Sequence, residues 1–354
     1  MKRGNYVITA LIGLLSVTLI ASGCSNSHQS ARSTAKPATR TVTDMSGTKV
    51  TIPKKVNRVA DLWHANNQTV MLLGGQNKLV ATTQMIKKQP WFNTIYPSIK
   101  QVKAPFSGDT MQVESLLKVK PDVVISADPG QIKQARNAKV PVVNAMYQNF
   151  DGLRRSVNLT ANVLGGNAPA VAKTYQKELS ANLDQVKTQL NGVSSRPSVL
   201  HIVNDTNLNV VDGRQTIVDE WIKAAGGQNA LSQKGNMISV TTEKLAKSNP
   251  DIIIVGNTTS KEALKALQKD PVLSKLSAVK KGRVYGNPQG TFPWDRYSAE
   301  EALQVLWAAQ KLHPAQFKHL NMTKKTQAFY QKYYHYQLTA KQANLILTGS
   351  TATQ

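Results

Sequence analysis

Two glutamates, Glu114 and Glu243, occupy matching positions in a segment that occurs twice in this 354-residue chain. In each copy a Pro-Asp pair begins seven residues after the glutamate and leads into a run of β-branched residues, at 123–125 and 252–254. A carboxylate in this position either favours a helix N-terminus through the helix dipole or forms charge-assisted hydrogen bonds with a cationic partner. Its duplication favours a contact made at two points.

The residues around each glutamate predict a short helix, a turn and a buried parallel strand. Proline cannot continue a helix, aspartate is a common turn residue, and a short β-branched run is typical of a buried strand. The copies lie 129 residues apart, which is too far for a solenoid repeat. The sequence therefore predicts an α/β protein with two similar Rossmann-like lobes.

The N-terminus has the pattern of a bacterial lipoprotein signal. Lys2 and Arg3 precede an apolar stretch at 7–20 that is too short to cross a membrane. Ala21-Ser-Gly-Cys24 then forms a lipobox, with alanine where leucine is more usual. Cys24 is the only cysteine, so no internal disulfide is expected. The alternative is an ordinary secretion signal followed by a chance cysteine.

These patterns predict a signal peptide over residues 1–23 and a lipid-anchored tether over residues 24–40, with Cys24 as the lipidated, palmitate-bearing first residue. The tether is rich in Ser, Ala, Thr and Lys and has no apolar periodicity, which is typical of a flexible linker. The protein would be held at the extracytoplasmic face of the cell membrane by the lipid alone.

Composition and motifs count against several classes of function, among them a secreted enzyme and a free-metal binder, which stay as weaker alternatives. The net charge is +24, but the lysines are scattered and no nucleic-acid motif accompanies them, so we interpret them as a solvated surface that also helps attract an anionic ligand. No Gly-x-Ser-x-Gly, His-Glu-x-x-His or P-loop motif indicates an enzyme. Of six histidines, only His64 and His201 lie where a cleft could use them, which is too few for a free-metal cage.

Hydrophobic periodicity predicts an N-terminal lobe over residues 41–165, a linker helix within 166–195 and a C-terminal lobe over 196–350. An uninterrupted apolar stripe from Val171 to Leu190 indicates a helix roughly 30 Å long. Ser298 and Glu301 predict a capping box for a later helix. The other predicted elements are a hairpin at 41–53, strands at 58–62, 78–82, 122–126, 141–145, 198–203, 251–255 and 282–285, and helices at 67–73, 131–138, 216–225, 261–268, 324–336 and 341–347.

Several segments together resemble the class III substrate-binding lipoproteins of ABC importers, which carry iron-siderophore complexes, haem or cobalamin. The resemblance covers roughly residues 41–320, and the ordered set of segments makes it specific. It rests on the two Glu-x6-Pro-Asp copies together with Thr43-Asp44, Gly47, Ile52-Pro53, Arg58-Val59, Ala225–Asn229 and Leu276–Tyr285.

The resemblance implies two lobes joined by one rigid helix, with only small closure motions. It implies that Glu114 and Glu243 dock onto arginine pockets of an ABC permease dimer with its ATPase. It also implies a monomer with no intrinsic cofactor that binds a ferric siderophore, with haem or cobalamin as alternatives.

The ligand should lie between the lobes, beyond the carboxyl ends of the parallel strands. An arginine among aromatic residues suits a large, anionic or conjugated ligand. Two alternatives stay open: Trp91 could pack against a loop, and Arg296 could pair internally with Asp295. The residues predicted to line the cleft are Trp63, His64, Trp91, Asp128, Tyr147, Asp205, Asn257, Trp294, Arg296 and Tyr297.

Cys24→Ser tests the anchor. Without the thiol no lipid can be attached, so we expect the variant to be released into the medium or to remain unprocessed. Fractionation of cells and medium followed by immunoblotting measures this. A variant that is cleaved normally and still stays with the membrane would contradict the lipobox interpretation.

Overall fold

In the computed structural model, which describes residues 38–351, the N-terminal lobe is built on a four-stranded parallel sheet of order β4-β3-β7-β8. Two antiparallel hairpins, β1–β2 and β5–β6, flank it. The strands are β1 Thr39–Thr43, β2 Lys49–Pro53, β3 Val59–Asp61, β4 Leu79–Ala81, β5 Phe106–Ser107, β6 Thr110–Met111, β7 Val123–Ser126 and β8 Val142–Asn144. The helices are α1 His64–Leu72, α2 Gln84–Lys87, α3 Pro90–Ile95, α4 Val113–Lys118, α5 Pro129–Asn137, α6 Phe150–Leu164 and α7 Ala168–Gln189.

The C-terminal lobe repeats this plan. Its parallel strands run in the order β11-β9-β13-β14, and the antiparallel strands β10 and β12 extend the sheet beside β9. The strands are β9 Ser198–Ile202, β10 Val210–Val211, β11 Gln228–Asn229, β12 Ile238–Ser239, β13 Ile252–Val255 and β14 Val284–Gly286. The helices are α8 Ile217–Ala224, α9 Thr242–Ser248, α10 Ser260–Lys269, α11 Ser277–Lys280, α12 Glu301–Leu312, α13 Met322–Tyr334 and α14 Ala340–Leu347.

The duplicated segment forms a helix, a turn and a strand in both lobes, as the sequence predicted. The aspartates of the two Pro-Asp pairs also accept equivalent backbone hydrogen bonds. Asp122 accepts backbone hydrogen bonds from Asn57 and Arg58, at 2.7 and 2.9 Å, and Asp251 accepts one from Ser198 at 2.8 Å. Each aspartate therefore ties its turn to the start of the neighbouring strand, β3 or β9.

Helix α7 lies between the two sheets in the chain and packs against α6 and α12. With 22 residues it is about 33 Å long. Its buried side makes polar as well as apolar contacts: the Tyr175 hydroxyl donates to the Ala299 carbonyl at 2.8 Å, and the Asn182 amide donates to the Ala302 carbonyl at 2.7 Å. These bonds hold α7 against the start of α12.

Strand residues alternate between two environments, as a period of two requires. In β7, Ile125 belongs to one large hydrophobic cluster that spans both lobes, whereas Val124 packs on the opposite face in a smaller cluster. In β13, Ile254 belongs to the large cluster and Ile253 to a separate outer one. One face of each sheet thus contributes to a core that both lobes share.

A buried polar contact crosses the same region. Gln68 of α1 donates to the Ser298 hydroxyl at 2.9 Å and accepts from the Tyr334 hydroxyl at 3.1 Å. All three side chains are buried, so each bond replaces one that water would otherwise make. The contact fixes α1, which follows the first strand of the N-terminal lobe, against the C-terminal lobe.

Some predictions about elements were wrong or incomplete. The expected capping box is absent, because α12 begins only at Glu301 and the Ser298 hydroxyl accepts from the Glu300 N–H rather than from the Glu301 N–H. Strand β1 begins at Thr39, inside the predicted tether. Helix α6 and the β5–β6 hairpin were not predicted.

The predicted signal peptide and Cys24 lie outside the described residues, and the lobe boundaries stay predictions. Within residues 38–351, none of the helices combines the length and hydropathy that a bilayer crossing requires.

Candidate binding cleft

A cavity of about 430 Å³ lies at the carboxyl ends of the N-terminal sheet. The segments that follow β3, β4, β7 and β8 all reach it, and the β5–β6 hairpin closes one side. This is the edge of a parallel sheet at which ligands bind. The cavity is lined by Leu62, Trp63, His64, Thr83, Gln84, Met85, Phe106, Gly108, Asp109, Ala127, Asp128, Pro129, Gln131 and Met146.

Three aromatic rings join the lobes beside this cavity. Trp63 and Tyr147 of the N-terminal lobe lie 5.8 Å apart in an edge-on arrangement, and Tyr297 of the C-terminal lobe lies 5.6 Å from Trp63 and 5.5 Å from Tyr147. Tilted and edge-on pairs at these separations are favourable. The sequence predicted all three residues for the cleft, and the structure brings them together.

Polar contacts continue the junction outward. Asn236 of the C-terminal lobe donates to the Tyr297 hydroxyl at 2.7 Å, and that hydroxyl donates to the Gln148 amide oxygen of the N-terminal lobe at 3.2 Å. Tyr297 has φ of 52°, a left-handed conformation that is unfavourable for a residue with a bulky side chain. Strain of this kind is common at binding sites.

His64 begins α1 at the rim of the cavity. Burial, together with the charge of Arg296, lowers the pKa of His64 to about 4. Its ring packs against Phe292 of the C-terminal lobe, with centroids 5.4 Å apart. At neutral pH the imidazole is therefore uncharged, and its unprotonated nitrogen can accept a hydrogen bond or coordinate a metal.

Behind the C-terminal wall lies a buried chain of charges. His201 binds Asp212 through Nδ1 and Asp295 through Nε2, both at 2.9 Å. Arg296 binds Asp295 at 3.0 and 3.1 Å and the Val203 carbonyl at 3.2 Å. Both nitrogens of His201 are occupied, so this histidine is not available to a metal or a ligand.

The charges in this chain stabilise one another. Burial acts to lower the pKa of His201, but the hydrogen bonds to Asp212 and Asp295 outweigh it and raise the pKa to about 9. Burial acts to raise the pKa of Asp295, but the charge of Arg296 and the bond from His201 hold it below its usual range. At neutral pH the chain holds two cations and two anions.

Arg296 forms the internal pair that the sequence left open as an alternative, because its guanidinium makes two hydrogen bonds to Asp295. Its contact with the ligand stays a prediction. Its side chain is 17% exposed, so it still reaches the cleft next to His64. A charge already neutralised by a buried partner has less to offer an anionic ligand.

Two of the predicted tryptophans belong to the core rather than the cleft. Trp294 is fully buried, and its indole N–H donates to Glu300 at 2.6 Å. Burial raises the pKa of that carboxyl to about 7. Trp91 is 1% exposed, and its indole N–H donates to the Ser350 carbonyl at 3.0 Å. Both indoles are amphipathic, and the N–H of each donates to a polar partner inside the protein.

The remaining predicted residues are divided between locations. Asp128 lines the cavity and also caps α5 by accepting from the Gln131 N–H at 2.7 Å. Asn257 is exposed and donates to Val203, the carbonyl that Arg296 also binds. Asp205 accepts from Thr258 and lines a separate cavity of the C-terminal lobe, so it does not belong to this cleft.

Other cleft residues were missed. Met85 follows β4, and the rule of strand ends could have found it; it is 49% exposed. Phe106 and Asp109 belong to the short β5–β6 hairpin, for which the sequence has no alternating pattern. Asn236 reaches the cleft only because of the fold. Among residues 38–351, no group of three or more His, Cys, Asp or Glu side chains is arranged to hold a metal ion.

Glu114 and Glu243 are exposed in the first turns of α4 and α9. Neither carboxylate forms an ion pair or hydrogen bond with another of the described residues. Each helix runs through a tight turn into its strand, so its first turn lies toward the carboxyl end of the sheet. Both carboxylates therefore lie on the cleft side of the molecule, one on each lobe.

A cavity at the strand ends of one lobe, which faces a second lobe across aromatic rings, is the arrangement of a solute-binding site. The chain belongs to the Periplasmic binding protein family, which it matches over residues 59–290. It is a class III substrate-binding protein of the kind that serves ABC importers.

Two relatives and one solved structure illustrate the similarity. The chain is 28% identical over 301 residues to the uncharacterized ABC transporter substrate-binding lipoprotein YvrC of Bacillus subtilis, covering 80% of this chain and 90% of that one. It is 26% identical to the molybdate-binding protein MolA of Haemophilus influenzae, covering 94% and 97%. A periplasmic solute binding protein from Veillonella parvula superposes with a TM-score of 0.74 at 26% identity, covering 88% and 97%.

The His201 ion chain leads to a prediction about pH. The folded-state pKa of about 9 lies above the ordinary value of 6.5, so the contribution of His201 to stability is complete below 6.5 and is lost as the pH rises through 9. The shift corresponds to on the order of 3 kcal/mol. We expect His201→Gln to have a lower free energy of unfolding than wild type at about pH 6. The difference should shrink toward zero by about pH 10.

Urea unfolding of both proteins across this pH range measures their free energies of unfolding. Other titrating groups contribute equally to both proteins and cancel when the two values are subtracted. A stability difference that does not change with pH would show that His201 is not an imidazolium in the folded protein.

Proposed function

We propose that this protein captures a chelated iron complex, a ferric siderophore, between its lobes and delivers it to an ABC permease dimer with its ATPase. The observation that carries the proposal is the aromatic cavity at the strand ends, which faces the second lobe across Trp63, Tyr147 and Tyr297. Its volume of about 430 Å³ in one lobe is within the usual range for small-molecule sites.

The side chains around the cleft support a chelate rather than a bare metal ion. Within residues 38–351 no set of carboxylates and imidazoles is arranged as a metal cage, and the cavity offers large apolar surfaces instead. A metal would therefore arrive with its own chelator. One relative, 22% identical over 321 residues, is the iron(3+)-hydroxamate-binding protein YxeB of Bacillus subtilis, which is consistent with this class of ligand.

A second candidate is haem or cobalamin on the same scaffold. The specific observation in its favour is His64, an uncharged imidazole at the rim of an aromatic cavity, since such a group can occupy an open coordination position of a planar metal complex. A cobalamin-binding protein of Halobacterium salinarum is 25% identical over 276 residues.

An absorption spectrum separates these ligands. We expect protein purified from iron-replete culture to carry a broad charge-transfer band, as ferric chelates do; a Soret band would indicate haem and a corrin spectrum cobalamin. Trp63→Ala should weaken binding of the identified ligand by about 10-fold, because the variant loses aromatic stacking.

Tryptophan-fluorescence titration measures the affinity, with Trp307→Phe as the control, since Trp307 is a buried residue of α12 outside the cavity lining. If Trp63→Ala and wild type had equal affinity, the ligand would not bind in the aromatic cavity.

We further propose that Glu114 and Glu243 dock the protein onto cationic pockets of the permease. Both are exposed, unpaired among the described residues, and located on the cleft side of separate lobes. Two distant carboxylates fix the orientation of a partner more firmly than one. The lipid anchor proposed at Cys24 would keep the protein, as a monomer, near that permease at the outer face of the membrane.

The docking prediction concerns two variants, Glu114→Ala and Glu243→Ala. Each should impair uptake and permease binding while leaving ligand affinity nearly unchanged, because neither side chain lines the cavity. Pull-down with permease-containing vesicles and fluorescence titration provide the two measurements.

Asp151→Ala and Glu262→Ala are matched controls, since each removes an exposed acid from the first turn of a helix in one lobe. If the glutamate variants lost ligand affinity but kept permease binding, the two residues would belong to the cleft instead.

A further inference from the structure

The charge of the cavity wall is opposite in sign to the charge of the whole chain. The net charge of the chain is +24, yet among residues 38–351 no lysine or arginine lines the cavity. The carboxylates among these lining residues are Asp109 and Asp128. His64, the one other titratable residue of the lining, is neutral at neutral pH. The N-terminal wall therefore has a formal charge of two negative units.

On the facing C-terminal wall, Arg296 reaches the cleft and is bound by Asp295 through two hydrogen bonds. The chain continues through His201 to Asp212 and contains equal numbers of cations and anions. The chain adds no net charge to the C-terminal wall, although the charge of Arg296 still acts on His64 at the rim.

The distance of a charge from the bound ligand determines how strongly that charge acts on it. The cavity wall therefore outweighs the rest of the surface. Exposed lysines outside the lining act through water and salt, where the screening length is about 8 Å at physiological ionic strength. Asp109 and Asp128 contact the cavity directly. The distant lysines raise the rate at which anions approach, but the adjacent carboxylates determine which charge is tolerated inside.

We propose that this cleft selects metal chelates that carry no net negative charge, such as neutral or cationic iron complexes of the trihydroxamate class. The inference rests on the proposed function and names the substrate class of the same site. It replaces the anionic ligand that the sequence suggested through Arg296. It also separates this protein from MolA, since a molybdate dianion would find no unneutralised cationic side chain among the residues that line this cavity.

Five probes of different charge test the proposal: ferrioxamine B, which is cationic; ferrichrome and cyanocobalamin, which are neutral; and ferric citrate and molybdate, which are anionic. Tryptophan-fluorescence titration at physiological salt measures each affinity. We expect at least one cationic or neutral probe to bind about 10-fold or more tightly than both anions, a difference of about 1.4 kcal/mol. Ferric citrate or molybdate binding as tightly as the best of the other three would overturn the proposal.

A charge reversal at Asp109 tests whether the carboxylates of the cavity wall cause the selection by charge. Asp109 is exposed in the β5–β6 turn, so Asp109→Lys should fold normally, which a thermal melt verifies. We expect it to shift the affinity ratio of ferric citrate to ferrioxamine B about 10-fold or more toward the anion. Glu262→Lys makes the same charge change on α10, outside this cavity, and should leave the ratio unchanged.

The results distinguish this inference from the proposed function. Binding of iron chelates with no preference by charge, or an unchanged ratio in Asp109→Lys, would overturn the charge selection and leave the iron-chelate function standing. Binding of cyanocobalamin alone would favour the second candidate function and retain the charge rule. Binding of none of the chelates would overturn the proposed function and the inference with it.

Discussion

The hydrophobic core that both lobes share is the constraint on which the rest of this structure depends. One face of each sheet packs into it, together with α1, α6, α7, α12 and α13. Interiors packed in this way resist continuous deformation. Buried polar bonds, including those of Gln68, Tyr175 and Asn182, cross the same region and add direction to a contact that apolar packing alone would leave less specific. A shared core of this kind opposes large movements of one cleft wall relative to the other.

A cleft whose walls move little suits a ligand recognised by shape and charge rather than by enclosure. The aromatic junction of Trp63, Tyr147 and Tyr297 and the strained backbone of Tyr297 are supported by neighbouring packing, so little ordering is needed when a ligand binds. The buried chain from Asp212 to Arg296 has a similar effect on the opposite wall, because each ion is oriented by two partners. Preorganisation of this kind places the cost of positioning charged groups in folding rather than in binding.

The parts of the fold that were predictable share a local cause. The duplicated segment was recognised because the turn chemistry of Pro121-Asp122 and Pro250-Asp251 and the β-branched runs after them act over a few residues. The linker helix was recognised from an uninterrupted stripe. The β5–β6 hairpin was missed because two-residue strands have no period to detect. The Ser298 capping box failed because α12 begins only at Glu301, so the Ser298 hydroxyl accepts from the Glu300 N–H instead.

The sequence by itself determined the class of protein, the two-lobe plan and the positions of Trp63, His64 and Tyr147, because residues after parallel strands meet at one edge wherever the strands lie. Only the tertiary structure decided the roles of Trp91, Trp294 and Arg296. Each carries a polar donor whose partner is remote in the sequence or hidden by burial: Ser350 for Trp91, Glu300 for Trp294 and a carboxylate oriented by His201 for Arg296. A donor with a long side chain binds whichever acceptor the fold brings near it, so the sequence could offer the Arg296–Asp295 pair only as an alternative and gave no partner for either indole.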